Sequence, residues 1–196
     1  MDLTATIHAH FAAAAQTLEQ SAAELAEPTA AAIELLFATL VNNGKILACG
    51  NGGSAADAQH FIAELVGRFE RDRLPLAGIA LNTDTSIMTA VGNDYGYDHI
   101  FERQVAALGQ TGDILVAIST SGNSTNVLKA IQVAHERDMV VIALTGNGGG
   151  QIAQLLADTD IHLCVPHART MRIQEVHIVL LHALCDGIDN LLLGEA

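Results

Sequence analysis

Basic side chains are scarce in this chain: nine lysines and arginines stand against 22 aspartates and glutamates, for a formal net charge of -13. Binding to a nucleic-acid backbone rests on clustered Lys and Arg, so nucleic acid is not expected as the main ligand. A small phosphorylated substrate stays open, because local N–H and hydroxyl groups can hold one. Cysteine is sparse too. Cys49, Cys164 and Cys185 are odd in number and widely spaced, with no CxxC pair, which argues against a disulfide framework and a Cys-rich zinc site. A reducing cytoplasm is the expected location. The opening residues MDLTATIHAHF have neither a basic stretch nor a cleavage signature, and no apolar run reads as long enough to span a bilayer. Neither export nor a membrane is therefore expected. Charged residues make up only 16% of the chain and half of it is hydrophobic, which excludes disorder for most of its length.

What is present fits one domain covering residues 1–196, long enough to bury a sizeable core. Residues 3–25 carry Ile7, Phe11, Ala14 and Leu18 at helical spacing, and Pro28 suits the first turn of a second helix ending before Gly44. This predicts an N-terminal helical pair over about 3–43. Short apolar runs then alternate with helical stretches. The runs at 45–49, 77–81, 113–118, 140–145 and 160–165 read as strands. Segments 54–66, 83–91, 97–108, 124–137 and 151–156 read as helices, and a long last helix covers 170–193. Strands apolar throughout imply burial on both faces, hence a parallel sheet between helical layers in an α/β sandwich. The first and last helical runs have more apolar positions than one stripe against a monomer core needs, which predicts an oligomer. The stretch 67–75, with Arg68, Arg71 and Arg73, reads as a solvated surface loop.

Two strand–loop–helix units carry chemistry. In the first, Gly50-Asn51-Gly52-Gly53 follows a strand and Ser54 is a plausible N-cap. Its glycines permit positive φ and close approach of a ligand, and the helix start attracts an anion. His60 and Glu64 then share a helix face. In the second, Ser119-Thr120-Ser121-Gly122-Asn123-Ser124 gathers four hydroxyls at a helix start, more than one cap requires, which suits a phosphate dianion. The lysine of a GxxxxGK[ST] loop is missing, which argues against a nucleotide triphosphatase. Residues 50–55 also fit G-x-G-x-x-A, but Asp72 and Asp84 stand in the wrong places for a dinucleotide fingerprint. On the last helix Gln174 and His182 share a face about 12 Å apart along the axis. With His60 and Glu64 they would supply nitrogen and oxygen donors of the kind zinc accepts. Each also has a plainer reading, His182 as a hydrogen-bonded core histidine and Gln174 as a polar contact.

Taken together, Gly50-Asn51-Gly52-Gly53-Ser54, His60 with Glu64, Asn93-Asp94, Ser119 to Ser124 and Arg172-Ile173-Gln174 with His182 resemble the phosphoheptose isomerases of the sugar isomerase (SIS) fold. The likeness covers nearly the whole chain in order. It implies a flavodoxin-like sheet in the order 2-1-3-4-5 and conversion of sedoheptulose 7-phosphate to D-glycero-D-manno-heptose 7-phosphate, the first step toward lipopolysaccharide heptose. It implies that Asn51, Gly52, Gly53, Glu64, Asn93, Asp94, Ser119, Thr120, Ser121, Ser124 and Gln174 hold substrate. By the same resemblance His60, Glu64, Gln174 and His182 bind one zinc ion per subunit, and the enzyme is a homotetramer. Moving a carbonyl through an enediol needs a base and an acid, and Glu64 and His182 suit those roles. A related regulatory branch keeps the fold but binds the replication initiator DnaA, and the ending Leu184-Cys185-Asp186-Gly187-Ile188-Asp189-Asn190 resembles that branch. That branch lacks counterparts of Glu64 and His182, so the enzyme reading leads.

Overall fold

A computed structural model describes residues 1–194. Five strands, β1 (Ile46–Gly50), β2 (Gly78–Ala80), β3 (Ile114–Ser119), β4 (Val140–Gly146) and β5 (Ile161–Val165), form one all-parallel sheet in the order β2-β1-β3-β4-β5. Every residue of β1 and β3 is buried, as strands covered on both faces must be. Alternate side chains supply two cores. Ile46, Ala48, Val116 and Ile118 face α1 (Leu3–Val41), α2 (Gly53–Val66) and the last helix, α7 (Thr170–Leu193). Leu47, Cys49, Leu115 and Ala117 face the layer of α3 (Thr85–Asp94), α4 (Glu102–Leu108) and α5 (Thr125–Glu136). The short α6 (Ile152–Leu155) lies between β4 and β5 in sequence. The expected three-layer α/β sandwich and strand order are both present.

Three local expectations change. The helical pair is one continuous helix, α1, with Pro28 inside it. Proline removes one hydrogen bond to the carbonyl four residues back, but that carbonyl belongs to exposed Glu24, where water can replace the donor. The expected helix over 97–108 is a short 3-10 turn, Tyr97–His99, followed by α4. Ser54 is not the cap of α2: Gly52 is, at φ +58, and Ser54 is buried one residue inside the helix.

The first turns of α1 extend past the body, leaving Leu3, Ile7 and Phe11 exposed. Helix α7 is, by length and composition, apolar enough to cross a membrane, contrary to the sequence reading. Its buried face, including Ile173, Leu181, Leu184 and Ile188, packs into the core.

The arginine loop differs most. Arg73 is almost fully buried, with Nε on Asp189 Oδ1 at 2.6 Å. Its Nη2 donates to the Glu64 carbonyl at 2.8 Å and its Nη1 to the Leu65 carbonyl at 2.9 Å. Arg71 donates to Asn190 Oδ1 and to the Gly194 carbonyl. The end of α2 presents carbonyls without helical partners, and these draw Arg73 inward, while Arg71 is held by groups at the end of α7.

Candidate active site

The strand order reverses direction between β1 and β3, and in open parallel sheets the crevice beyond the carboxyl ends at such a point receives ligands. A pocket of about 280 Å³ lies there, lined by Asn51, Gly52, Gly53, Ser54, Ile118, Ser119, Thr120, Ser124, Thr170 and Gln174. Helices α2, α5 and α7 all begin at its wall, so three sets of free N–H groups and three positive dipole ends meet a lining without one charged side chain. Such a wall favours a phosphate dianion. Ser119 Oγ and Ser124 Oγ hydrogen-bond each other at 2.9 Å, which holds both hydroxyls at the pocket edge. A β-carbon at Gly53 would press on the Gln174 amide, so any side chain there displaces the end of Gln174.

Two side chains outside the lining fix this wall. Asn126, buried near the start of α5, exchanges two amide hydrogen bonds with Asn51: Asn51 Nδ2 donates to Asn126 Oδ1 at 2.8 Å and Asn126 Nδ2 to Asn51 Oδ1 at 2.9 Å. Tyr97 donates its hydroxyl to Asn51 Oδ1 at 3.2 Å. Sequence reading assigned no role to Asn126, Tyr97 or Thr170. The hydroxyl at position 170, beside a helix start, was the one available signal.

The residues expected to act as base and acid gather further along α2 and α7. His60 Nε2 lies 3.0 Å from His182 Nε2 and 3.5 Å from Glu64 Oε1, and Phe69 packs against the His182 ring with centroids 5.7 Å apart. The three side chains therefore form one cluster within a single chain. One turn before His60 on α2, Asp57 has its carboxyl raised by burial, with the neighbouring His60 charge pulling the other way, and its Oδ2 has no hydrogen-bond partner.

Other expected site residues lie apart. Asn93 and Asp94 are exposed at the end of α3, where the Asn93 amide donates to Asp94 Oδ1 at 2.8 Å, and neither lines the pocket. Ser121 is exposed, and its Oγ accepts from the Asn123 N–H at 3.2 Å instead of facing the pocket. Gln174 lines the phosphate pocket, about two helical turns from His182.

The donor set suits zinc in type, with two imidazoles and a carboxylate. Ligands at zinc bonding distance in a tetrahedron stand roughly 3.3 Å from one another, and the 3.0 and 3.5 Å separations bracket that spacing. Among the described residues no three His, Cys, Asp or Glu side chains are gathered as a metal needs them.

The family model described as SIS domain matches residues 9–146. A phosphoheptose isomerase of Bordetella avium is 72% identical over 195 residues, covering 100% of this chain and 99% of the relative. One from Neisseria meningitidis is 62% identical, covering 95% of each. The solved structure of phosphoheptose isomerase GmhA from Neisseria gonorrhoeae superposes with TM-score 0.92 at 59% identity, over 96% of this chain and 99% of that one. A phosphoheptose isomerase from Francisella tularensis gives TM-score 0.94 at 44% identity, over 97% and 100%.

Proposed function

The chain belongs to the SIS domain family, and from that premise we propose that it isomerises sedoheptulose 7-phosphate to D-glycero-D-manno-heptose 7-phosphate. The observation that carries the reading is the uncharged pocket at three helix starts, with His60, Glu64 and His182 further along two of the same helices. The relatives bear the isomerase name, which favours catalysis over initiator binding.

In this reading the phosphate sits among the Ser119, Thr120 and Ser124 hydroxyls and the N–H groups of the α2 start. Asn51, Gly52, Gly53 and Gln174 bound the sugar beside it. Glu64 takes the carbon-bound proton next to the carbonyl and returns it to the neighbouring carbon. His182 moves the proton between the two oxygens as the double bond shifts. Asn93 and Asp94 join the substrate only across a contact between subunits, since within one chain they stand outside the pocket. His60, Glu64, Gln174 and His182 would hold one zinc ion, which when bound supplies Lewis-acid stabilisation of the enediolate. A carboxylate held by metal is a weaker base, so Glu64 must be free of that bond while it takes the proton.

We propose a homotetramer as well. An apolar groove of about 320 Å³ between α1 and α7, lined by Leu18, Leu25, Ile33, Val176, Val179 and Leu180, supports burial against other copies. The unpaired Cys49, Cys164 and Cys185 support a cytoplasmic location, and the product would enter lipopolysaccharide heptose synthesis. A coupled assay on sedoheptulose 7-phosphate tests the activity. Turnover is expected, and tight binding of the initiator without turnover would favour the regulatory reading instead. Metal analysis of the purified protein should find one zinc per chain.

A further inference from the structure

Two stretches that the reaction leaves without a role meet in the fold: the arginine loop at 67–77 and the Asp186-Gly187-Ile188-Asp189-Asn190 segment near the end of α7. Their meeting point is Arg73. Its side chain is 3% exposed and that of its partner Asp189 is 2%. The guanidinium reaches Asp189 on α7 and the last-turn carbonyls of Glu64 and Leu65 on α2. It also reaches the Leu74 carbonyl at 3.2 Å, which closes the loop onto the same group. Asp189 stands two helical turns after His182 on α7, and Glu64 is itself one of the carbonyl acceptors.

We infer that Arg73 is a positioning residue for isomerisation: it locks α2 to α7 so that Glu64 and His182 keep the separation that proton transfer requires. The inference rests on the functional reading above. Three features support it. A buried cation is strongly disfavoured unless fully paired, so this one is held by what it bonds. A planar guanidinium fork reaches four acceptors at once, Asp189 and the carbonyls of Glu64, Leu65 and Leu74, more than the three N–H donors of a lysine can fill. The contact falls on the backbone of the proposed base itself, with no intervening residue to absorb a shift. Arg71, bonded to Asn190 on the same helix, ties down the neighbouring part of the loop.

The test compares Arg73→Lys, which keeps the charge on Asp189, with the pair Arg73→Met and Asp189→Leu, which leaves no unpaired buried charge. Tm and tetramer content are measured first, then kcat and KM on sedoheptulose 7-phosphate for the folded fraction. Hydrogen exchange at the Glu64, Leu65, Val66 and Gly67 amides reads the loosening of α2 directly. In the double variant kcat is expected to fall on the order of a hundredfold with KM nearly unchanged, and in Arg73→Lys less. Loss confined to Tm, with wild-type kcat per folded chain, would overturn the positioning role. A wild-type chain that does not isomerise the sugar would overturn the functional reading and this inference together, whereas an active wild type with undiminished variants would overturn the inference alone.

Discussion

The pocket at the strand ends and the His60, Glu64 and His182 cluster further along α2 and α7 are assembled differently. The first draws its donors from residues beside strand ends, Asn51 to Ser54 after β1 and Ser119, Thr120 and Ser124 at and beyond the end of β3. The strands are buried neighbours in perfect register, with Cys49 paired to Ala117 and Gly50 to Ile118, so both loops arrive together. The second joins side chains 122 positions apart, His60 and His182, that meet only because α2 and α7 pack on one face of the sheet. Donors at the pocket are numerous, neutral and partly interchangeable. Those of the His60, Glu64 and His182 cluster are three, two imidazoles and one carboxylate.

If that contrast is right, Glu64→Gln has the largest effect. It should lower kcat about a thousandfold, within the usual range for removing a general base, while circular dichroism and oligomer size stay unchanged. Substantial residual turnover would break the assignment. The next effect belongs to the pocket, where Ser119→Ala with Ser124→Ala should raise KM on the order of tenfold to a hundredfold and leave kcat nearly alone. Ser121→Ala, outside the pocket, should change neither constant. A loss of kcat instead of KM from the serine pair would erase the distinction between the two regions. Gly53→Ala sharpens it further. The added methyl meets only the far end of the Gln174 side chain, so steady-state kinetics should show a smaller loss in kcat/KM than the serine pair gives.

The smallest effect lies away from both regions. Burial pushes His177 down to about 4, against a hydrogen bond from Nε2 to the Thr145 carbonyl that works to raise it. Unfolded, the ring titrates near its ordinary value of 6.5. The unfolded chain therefore binds the extra proton between those values, and the stability of the neutral buried ring, complete above the upper one, is lost as pH falls through the lower. Thermal melts from about pH 7 to about pH 5 should show Tm falling. A Tm unchanged over that range would count against a neutral, buried His177.

Much of this was legible in the sequence. The uninterrupted apolar runs at β1, β3 and β4 gave the buried parallel sheet, and the glycine-rich and hydroxyl-rich loops gave much of the pocket lining, because both signals are local. The spacing of His60 and Glu64 gave a shared helix face. Pro28 misled because proline marks helix starts statistically, while a helix continues through it when the carbonyl it strands is exposed. Arg73 misled more seriously. A charged loop is solvated unless another element offers acceptors, and its acceptors are the end of one helix and an aspartate 116 positions away.

The amino-acid order by itself determined the layers, the sheet and the two loops that line the pocket, since hydrophobic period, glycine freedom and helix capping act over a few residues. Packing alone decided which of the polar residues became neighbours. The His60–His182 contact and the Arg73 clamp depend on how α2 and α7 sit on the sheet, and the Asn51–Asn126 exchange on how the start of α5 meets the loop after β1. That placement follows from the fit of whole buried faces, which no local stretch encodes.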